Sequence, residues 1–350
     1  MRNDPGNDYN PPCRALLTGI GHLSQVLELD LSLPVRLIPV HIQKPWGQEI
    51  WFTGMEARGE SLVEYGDQKL PISAYLNADP AGTTANQPLL LLKVLDPSPK
   101  EVVGDLYFEV HETKQEVYIV THIDHDAWPD AVGRMRFGMS QQRRAEFPSD
   151  QAFRRAYGKA VENYEAIRRQ IDEGHAEIAQ AAEQAARTEM ESFTSTRDLR
   201  IGDVVQVPTW TPHSLQHGVR VVEFQTQTYE RFIISFAQQV LTQDHWDSEH
   251  AIANMSIETP PAEKFEQVAP GTQRIARFED FNVWRVDLDA VGLVQLPAHL
   301  PYAVCMCIEG STSIGALELQ PEQACLLPRT AIQRNALQGT GQTLIAAPNL

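Results

Sequence analysis

Two stretches of the chain decide its fold: Gly104-Asp-Leu-Tyr-Phe-Glu-Val-His-Glu-Thr-Lys-Gln-Glu116 and Gly202-Asp-Val-Val-Gln-Val-Pro-Thr-Trp-Thr-Pro-His213. Alternating apolar residues in the first stretch predict a short strand, and residues i and i+2 of a strand point to the same face. Glu109 and His111 are therefore expected to project together. The second stretch predicts another strand, a proline-rich turn and then His213.

The end of the first stretch adds Lys114 and Glu116, which share a face after a short turn. The chain thereby brings two carboxylates and two imidazoles to one place. Such nitrogen and oxygen ligands suit one divalent metal ion, Zn²⁺ first and Mn²⁺ or Fe²⁺ as alternatives. A lone histidine in a barrel is usually a hydrogen-bonded core residue, but two with acidic partners favour metal ligation. For Glu109, the alternative is that it hydrogen-bonds to a metal ligand without binding the metal, or that it acts as an acid/base group.

The overall composition indicates the cellular compartment of the protein and excludes some classes of partner. Its 350 residues suffice for two domains with cores, and the formal net charge of −17 argues against nucleic acid or an anionic membrane as a partner. The N-terminus has no apolar region of a signal peptide, and no apolar run reaches ~18 residues. We expect a cytoplasmic enzyme or binding protein. Its four cysteines are too irregularly spaced for a disulfide framework and are expected to be mostly buried free thiols: Cys13, Cys305, Cys307 and Cys325.

Short strands punctuated by glycine, proline, asparagine and aspartate run from Pro34 to about residue 120, as in an all-β barrel or sandwich. Strands resume at about Asp203–Val207 and Val219–Tyr229, and again after Gly271. The segment from about 149 to 192 differs, because its apolar residues recur at three- and four-residue steps. We predict a helical hairpin there, inserted between barrel strands and capping the barrel.

A weak internal repeat links the two halves of the chain, since Leu199–Pro208 resembles Leu319–Pro328. Five residues after the first proline comes His213, and five after the second comes Gln333. The second barrel is therefore expected to repeat the first without its metal ligand. We predict an N-terminal metal-binding domain at 1–260 and a degenerate C-terminal domain at 261–350.

With these residues in hand, the chain resembles the type I phosphomannose isomerase family, which is built from cupin barrels. The resemblance implies a mainly β protein with two cupin-type double-stranded β-helix (jelly-roll) barrels and an inserted helical segment. It rests on four blocks: Lys44-Pro-Trp-Gly47 with Glu49, Leu90–Asp96 with Leu106–His111, Lys114-Gln-Glu116, and Pro212-His213 with Glu223–Arg231.

The resemblance also implies roles for individual residues. Zinc ligands fall on Glu109, His111, Glu116 and His213, active-site lysines on Lys93 and Lys114, and an active-site arginine on Arg231. Each of the three cations has an ordinary alternative, as a solvated side chain or a partner of a structural carboxylate.

Lys44 and Trp46 are expected at the substrate. The Trp46 ring would stack on a sugar, although a tryptophan is more often a packing residue.

The chain departs from the family pattern at two places. Glu109 stands where the family has glutamine, and a second carboxylate leaves a zinc site near neutral. Only four residues separate His111 from Glu116, where many family members have a long loop that helps form a phosphate pocket. The expected substrate is therefore a small sugar, phosphorylated or not.

Three functional hypotheses follow. The leading one is a metal-dependent aldose–ketose isomerase of the mannose-6-phosphate isomerase type, working through a cis-enediol intermediate. The alternatives are a non-catalytic sugar-binding cupin and another metal-dependent cupin enzyme, such as a dioxygenase. The remaining acidic and imidazole groups lack partners at useful spacing and are expected at the surface: His122, His125, His245, Glu249 and His250.

Overall fold

The computed structural model describes residues 29–56, 59–77, 89–174, 180–236 and 246–349. Cys13 and His245 lie outside these ranges. No helix in the described ranges is both long and apolar enough to cross a membrane.

Among the described residues, eleven strands precede residue 140. They are β1 (Val35–Ile38), β2 (Val40–Lys44), β3 (Gly47–Trp51), β4 (Met55–Glu56), β5 (Gly59–Glu60), β6 (Leu62–Tyr65), β7 (Gln68–Pro71), β8 (Leu91–Pro97), β9 (Phe108–Val110), β10 (Glu116–Ile123) and β11 (Gly133–Met139).

The later strands of the described residues follow the helical insertion. They are β12 (Thr194–Leu199), β13 (Val204–Val207), β14 (His213–Leu215), β15 (Val219–Gln225), β16 (Phe232–Ser235), β17 (Glu266–Ala269), β18 (Thr272–Arg277), β19 (Phe281–Asp287), β20 (Leu293–Val294), β21 (Tyr302–Cys307), β22 (Ser311–Ile314), β23 (Leu317–Leu319), β24 (Ala324–Pro328), β25 (Leu337–Thr340) and β26 (Gln342–Pro348). The helices are α1 (Ile72–Asn77), α2 (Gln141–Arg144), α3 (Asp150–Asp172), α4 (Gln180–Glu191), α5 (Ser248–Asn254), α6 (Leu288–Val291) and α7 (Arg329–Arg334).

Two antiparallel sheets build the N-terminal barrel. One has the strand order β13-β10-β15-β8-β3-β2, and the other has the order β12-β11-β14-β9-β16. Apolar side chains of the two sheets meet in the barrel interior, among them Leu95, Val120 and Val221 from the first and Met135 and Leu215 from the second. The prediction of a mainly β fold is confirmed.

The six-stranded sheet is covered on both faces. Because side chains alternate along a strand, Val117 and Ile119 of β10 point away from the barrel interior, where they join one core with Val304 of β21 and Leu326 of β24. The two barrels therefore share a hydrophobic core, and the opposite face of β10 is left for the interior of the first barrel.

The inserted helices cover the outer face of the five-stranded sheet, as the helix-period pattern predicts. Helix α3 begins after Ser149, whose hydroxyl caps the Ala152 amide, and its chain turns at Gly174 with a φ of 98°. Its buried side chains pack against Phe108 and Ile233 of the sheet: Phe153, Tyr157, Val161 and Tyr164.

The C-terminal part of the chain supplies six strands of a nine-stranded sheet, the C-terminal sheet, with the order β17-β18-β19-β26-β21-β24-β1-β6-β7. It also forms a four-stranded sheet, β20-β25-β22-β23. The N-terminal strand β1 pairs with β24, with Val35 opposite Leu326. Strands β1, β6 and β7 thus lie in the C-terminal sheet although they precede residue 260. The division into two domains near residue 260 stays a prediction. The strand pairing shows in addition that three N-terminal strands join the C-terminal sheet.

The internal repeat has matching backbone hydrogen bonds. The Gly202 amide donates to the Val120 carbonyl, and the Glu322 amide donates to the Cys307 carbonyl, each at 2.8 Å. Both residues have a positive φ, 90° for Gly202 and 63° for Glu322. Each repeat therefore turns into a strand that ends at a proline or at the residue before it.

The repeats diverge after that proline. The first continues to His213 in β14, whereas the second enters helix α7, in which Gln333 donates a hydrogen bond to the Ala298 carbonyl. Cys305, Cys307 and Cys325 are buried free thiols of this second barrel, as expected.

Candidate metal centre

The interior face of the six-stranded sheet becomes polar at one end. Glu223 of β15 stands directly opposite Lys93 of β8 on one side and Tyr118 of β10 on the other. Glu116, the first residue of β10, stands opposite Gln225 in the same manner. Antiparallel register therefore collects these side chains on one face, where each is buried.

The five-stranded sheet supplies the facing groups. Glu109 of β9 is the direct partner of His213 in β14, and His111 follows the end of β9. The i, i+2 relation places Glu109 and His111 on one side, as the sequence predicts. The Trp210 amide donates to the His111 carbonyl at 2.6 Å, which fixes the backbone of the histidine.

The predicted ligand groups converge in space. Among the described residues, one group of metal-ligating side chains has all its ligand atoms within 4.8 Å of one another, namely Glu109, His111 and His213. Glu116 adjoins it, since its Oε1 lies 2.7 Å from His213 Nε2 and 3.5 Å from His111 Nε2. Glu109 Oε1 lies 3.6 Å from His111 Nε2.

The buried ligand atoms of these groups that lack hydrogen-bond partners fit a metal ion. His111 Nε2, His213 Nε2 and Glu109 Oε2 are buried, and none has a partner with hydrogen-bond geometry within the described ranges. Glu116 Oε1 thus approaches His213 Nε2 closely without the angles of a regular hydrogen bond. Buried polar atoms without partners are costly, and a divalent cation would satisfy all of them at once.

His213 is oriented by its second ring nitrogen. Its Nδ1 lies 2.9 Å from the Thr211 carbonyl, which accepts a hydrogen bond from Nδ1–H and so leaves the lone pair of the neutral ring on Nε2. Hydrogen bonds of this kind fix the tautomer and the ring plane of metal-binding histidines. The turn before β14, which places the Thr211 carbonyl beside Nδ1, therefore determines that Nε2 is the nitrogen free to bind a metal.

Charges around the two imidazoles act in opposite directions. Burial and the Lys114 charge lower the pKa of His111, which favours the neutral ring that a metal requires. Burial alone would lower the pKa of His213 too, but Glu116 and Glu109 raise it above its ordinary value. A bound cation would compete with a proton for Nε2 of His213.

Lys114 is a buried cation of the centre. Its side chain is 8% exposed, and its Nζ lies 2.6 Å from Glu116 Oε2. Burial alone would raise the pKa of Glu116, but Lys114, His111 and His213 hold it well below its usual range. Because Glu116 faces Lys114 with Oε2 and the imidazoles with Oε1, it joins the metal cluster to the cation. The alternative that Lys114 is a solvated turn residue is excluded by this burial.

Glu223 is a site residue that the sequence analysis did not single out for chemistry. It is 3% exposed, and its Oε2 lies 3.6 Å from Lys93 Nζ. Burial raises the pKa of Glu223 to about 8, with Lys93 acting against the rise and Glu116 adding to it. The available signal was its even spacing from Gln225, but only the strand register shows that both face the ligands.

A second ion pair borders this cluster. Lys44 Nζ lies 3.1 Å from Glu49 Oε1, and the Trp51 indole NH donates to Glu49 Oε2 at 2.6 Å. Burial alone would raise the pKa of Glu49, but the charges of Lys93 and Lys44 and the Trp51 hydrogen bond bring it to about 2. Lys44 is thus a neighbour of the site through Glu49, in keeping with its sequence block.

Trp46 requires a correction. Its ring is 1% exposed and lies in the core with Leu95, Tyr118 and Val120, so no face is open for a sugar. Aromatic residues near the lysines are instead Trp51 and Tyr229, whose ring centroids lie 5.7 Å apart. Lys93 Nζ lies 5.8 Å from the Trp51 ring and 5.6 Å from the Tyr229 ring.

Arg231 lies at the edge of the centre. Its guanidinium stands 4.7 Å from the centre of the Tyr107 ring, and both Arg231 and Glu109 act electrostatically on the Tyr107 hydroxyl. The predicted regular strand Val219–Tyr229 ends earlier, at Gln225, so Arg231 follows an irregular segment rather than a continuous strand face. The surface assignment holds for four residues that the structure describes and leaves exposed: His122, His125, Glu249 and His250.

Comparisons with known proteins place this geometry in a known fold. No protein-family model matches the chain, and no curated protein matches it in sequence. Solved structures do match: a mannose 6-phosphate isomerase from Bacillus subtilis, with a TM-score of 0.63 and 16% identity, covers 89% of this chain and 99% of its own. A zinc-bound mannose 6-phosphate isomerase has a TM-score of 0.67 and 14% identity over 91% of this chain and 100% of its own.

A mutant phosphomannose isomerase from Salmonella typhimurium gives a TM-score of 0.66 at 13% identity, again over 91% of this chain and 100% of its own. The chain has the fold of these isomerases. At such identities the similarity extends to the arrangement of the strands and not to the reaction, so the activity has to be argued from the side chains of the site.

Proposed function

We propose that the protein is a metal-dependent aldose–ketose isomerase that acts on a sugar or sugar phosphate through a cis-enediol intermediate. One observation carries the proposal: Glu109, His111 and His213 converge beside the Glu116–Lys114 pair inside the barrel. These side chains combine free metal-ligand atoms with a buried cation. That combination suits a reaction in which negative charge develops on substrate oxygens.

Glu109, His111, Glu116 and His213 would hold the metal, most simply Zn²⁺. When bound, the ion supplies Lewis acidity toward the carbonyl and hydroxyl oxygens of the sugar. Lys114 and Arg231 would stabilise the negative charge of the enediolate from the protein side. Their contribution is electrostatic, because fixed charges in a water-poor site act more strongly than they do in water.

Glu223 is our choice for the group that moves the proton between the two sugar carbons. A proton-transfer group works best when its pKa lies near the working pH, and burial raises the pKa of Glu223 to about 8. Lys93, which lies opposite Glu223 and donates to Gln225 Oε1 at 2.8 Å, would orient the carboxylate.

An isomerase assay on metal-quantified protein tests this proposal. Mannose, fructose and their 6-phosphates are offered in parallel to protein loaded with Zn²⁺, Mn²⁺ or Fe²⁺ and to chelator-treated protein. The expected result is aldose–ketose interconversion that follows metal content and disappears on chelation. Turnover without metal, or full metal loading with no turnover of any sugar, would refute the isomerase. In the latter case sugar binding and oxygen consumption distinguish the binding and dioxygenase alternatives.

A further inference from the structure

Two of the three proposed metal ligands of the first stretch, His111 and Glu116, are joined by a very short connection. Only Glu112, Thr113, Lys114 and Gln115 lie between His111 and Glu116, and the side chains of Glu112 and Thr113 are exposed. An exposed connection of this kind has few apolar contacts of its own, and such segments open most easily. Holding His111 and Glu116 at one point therefore requires an anchor.

Glu230 provides that anchor. Its Oε1 accepts hydrogen bonds from the Glu112 amide and, at 2.9 Å, from the Thr113 amide. Its Oε2 accepts from the Thr113 hydroxyl at 2.6 Å. One carboxylate thus receives three donors from two consecutive residues, and hydrogen bonds to an ionised acceptor are the stronger kind.

The same connection is attached at its far end to the same segment. The Gln115 amide donates to Thr226 Oγ1 at 3.1 Å, and the Thr226 amide donates to the Gln115 carbonyl at 3.0 Å. The residues after β15, from Thr226 to Arg231, therefore run along the whole connection. This segment also carries Tyr229, so the metal ligands and the candidate substrate groups are linked through it.

We infer that Glu230 is a positioning residue, whose carboxylate fixes the connection between His111 and Glu116 so that both reach one metal ion. The inference rests on the proposed function in that it assumes a metal at this site. Glu230 needs no contact with metal or substrate, because it acts through the backbone of Glu112 and Thr113. Partners that orient ligands in this way typically change metal affinity by 10–100-fold when they are replaced.

The test compares Glu230→Gln with Glu112→Gln. Both substitutions remove one negative charge from the same region, but the Glu112 side chain is exposed and no hydrogen bond of Glu230 depends on it. A glutamine at 230 offers a single acceptor oxygen to three donors. Metal dissociation constants are measured by competition with a chelating dye at fixed salt, and thermal unfolding of the metal-free proteins checks that each variant is folded.

We expect metal affinity to fall at least tenfold in Glu230→Gln and less than twofold in Glu112→Gln. Thr113→Val, which removes only the hydroxyl donor, should give a smaller loss, and adding it to Glu230→Gln should cause little further loss. Saturating metal should restore most of the kcat of Glu230→Gln.

Equal losses of metal affinity in the two glutamine variants would show that Glu230 acts only through its charge, and this would overturn the inference. Unchanged affinity in Glu230→Gln would overturn it as well. Either result leaves the isomerase proposal standing, because wild-type metal binding and turnover are measured separately. A wild-type protein that binds no metal would overturn both.

Discussion

His213 combines three features of a metal ligand in one residue, because it is buried, its Nδ1 is engaged by the Thr211 carbonyl and its Nε2 faces Glu116. We predict that His213→Ala abolishes stoichiometric metal binding and turnover together. Metal content by elemental analysis and the isomerase assay measure this. His217→Ala is the matched control, since His217 hydrogen-bonds to Asp105 and stacks on Trp128 away from the ligand cluster. Retained metal in His213→Ala would remove this residue from the ligand set.

Glu223 makes a separate prediction, because it lies beside the ligands without being one of them. Glu223→Gln keeps the size and hydrogen-bonding capacity of the side chain but cannot take up a proton. We expect kcat to fall about 10²–10⁴-fold while the metal dissociation constant and KM change little. Steady-state kinetics at saturating metal provide the measurement. A variant with near-normal kcat would assign the proton transfer to another group.

The lowered pKa of Glu49 makes the free energy of unfolding depend on pH in the acid range. Its pKa falls from 4.5 unfolded to about 2 in the folded protein. The stabilisation is therefore fully present above pH 4.5 and is lost as the pH falls toward 2, by roughly 1.4 kcal/mol per unit. Urea unfolding of wild type and Glu49→Gln should differ by roughly 3 kcal/mol at pH 7 and by progressively less below pH 4.5. A difference that does not change with pH would contradict the assigned shift.

At the scale of single residues, the sequence predicts the converging Glu and His side chains better than the residues that surround them. Glu109 and His111 are two residues apart, so strand alternation alone predicts their common face, whereas Glu116 follows four residues later as the first residue of β10. Glu223 and Lys93 are 130 positions apart, and their contact exists only through the register of β15 with β8. Trp46 was misplaced for a related reason: its motif fixes a turn between β2 and β3, but not the side on which the ring is buried.

Among the elements, the turn before β13 offers a clean test of backbone conformation. Gly202 has a φ of 90°, and a Cβ added there would meet nothing within 4 Å, so any cost of Gly202→Ala comes from the backbone alone. We predict a loss of about 1 kcal/mol in the free energy of unfolding. Gly158→Ala in helix α3 is the matched control, where a Cβ would contact Ile252 at 3.9 Å and should stabilise by about 0.5–1 kcal/mol. Equal effects in urea unfolding would contradict the argument.

Elements with a long regular pattern were predictable, and their ends were less so. Helix α3 follows from the three- and four-residue steps of its apolar side chains. Strand β15 ends four residues before the predicted Tyr229, because the chain turns after Thr226. The Thr228 amide donates to the Thr226 carbonyl, and the Gln225 side chain donates to the Thr228 carbonyl. Such turn hydrogen bonds leave no periodic signal in the sequence.

For the whole molecule, the metal should contribute to stability as well as to chemistry. A ligand that binds only the folded state stabilises it by about 2.7 kcal/mol at 100 times its dissociation constant. We therefore expect chelation to lower the melting temperature of the wild type and to leave that of His213→Ala unchanged. Thermal unfolding with and without chelator measures this. The same decrease in both proteins would place the stabilising ion elsewhere.

Nonlocal pairing was the least predictable feature at this scale. The sequence repeat predicts two similar barrels, but nothing in residues 35–71 indicates that β1, β6 and β7 join the C-terminal sheet. Their alternation would suit either sheet. The choice is made by contacts with β24, nearly 300 residues along the chain, which no local pattern encodes.

That pairing has a consequence for the order in which a ribosome delivers the chain. Strands β2, β3 and β8 through β16 are all synthesised by residue 235, so the barrel that carries the ligands can close while the rest is still being made. Strand β1 emerges before any of them, yet one of its edges has to wait for Ala324–Pro328. During that interval an open strand edge invites pairing with another nascent chain. The earliest strand of the described residues is thus among the last to find its final neighbour, and chains that terminate before residue 324 would carry this edge permanently.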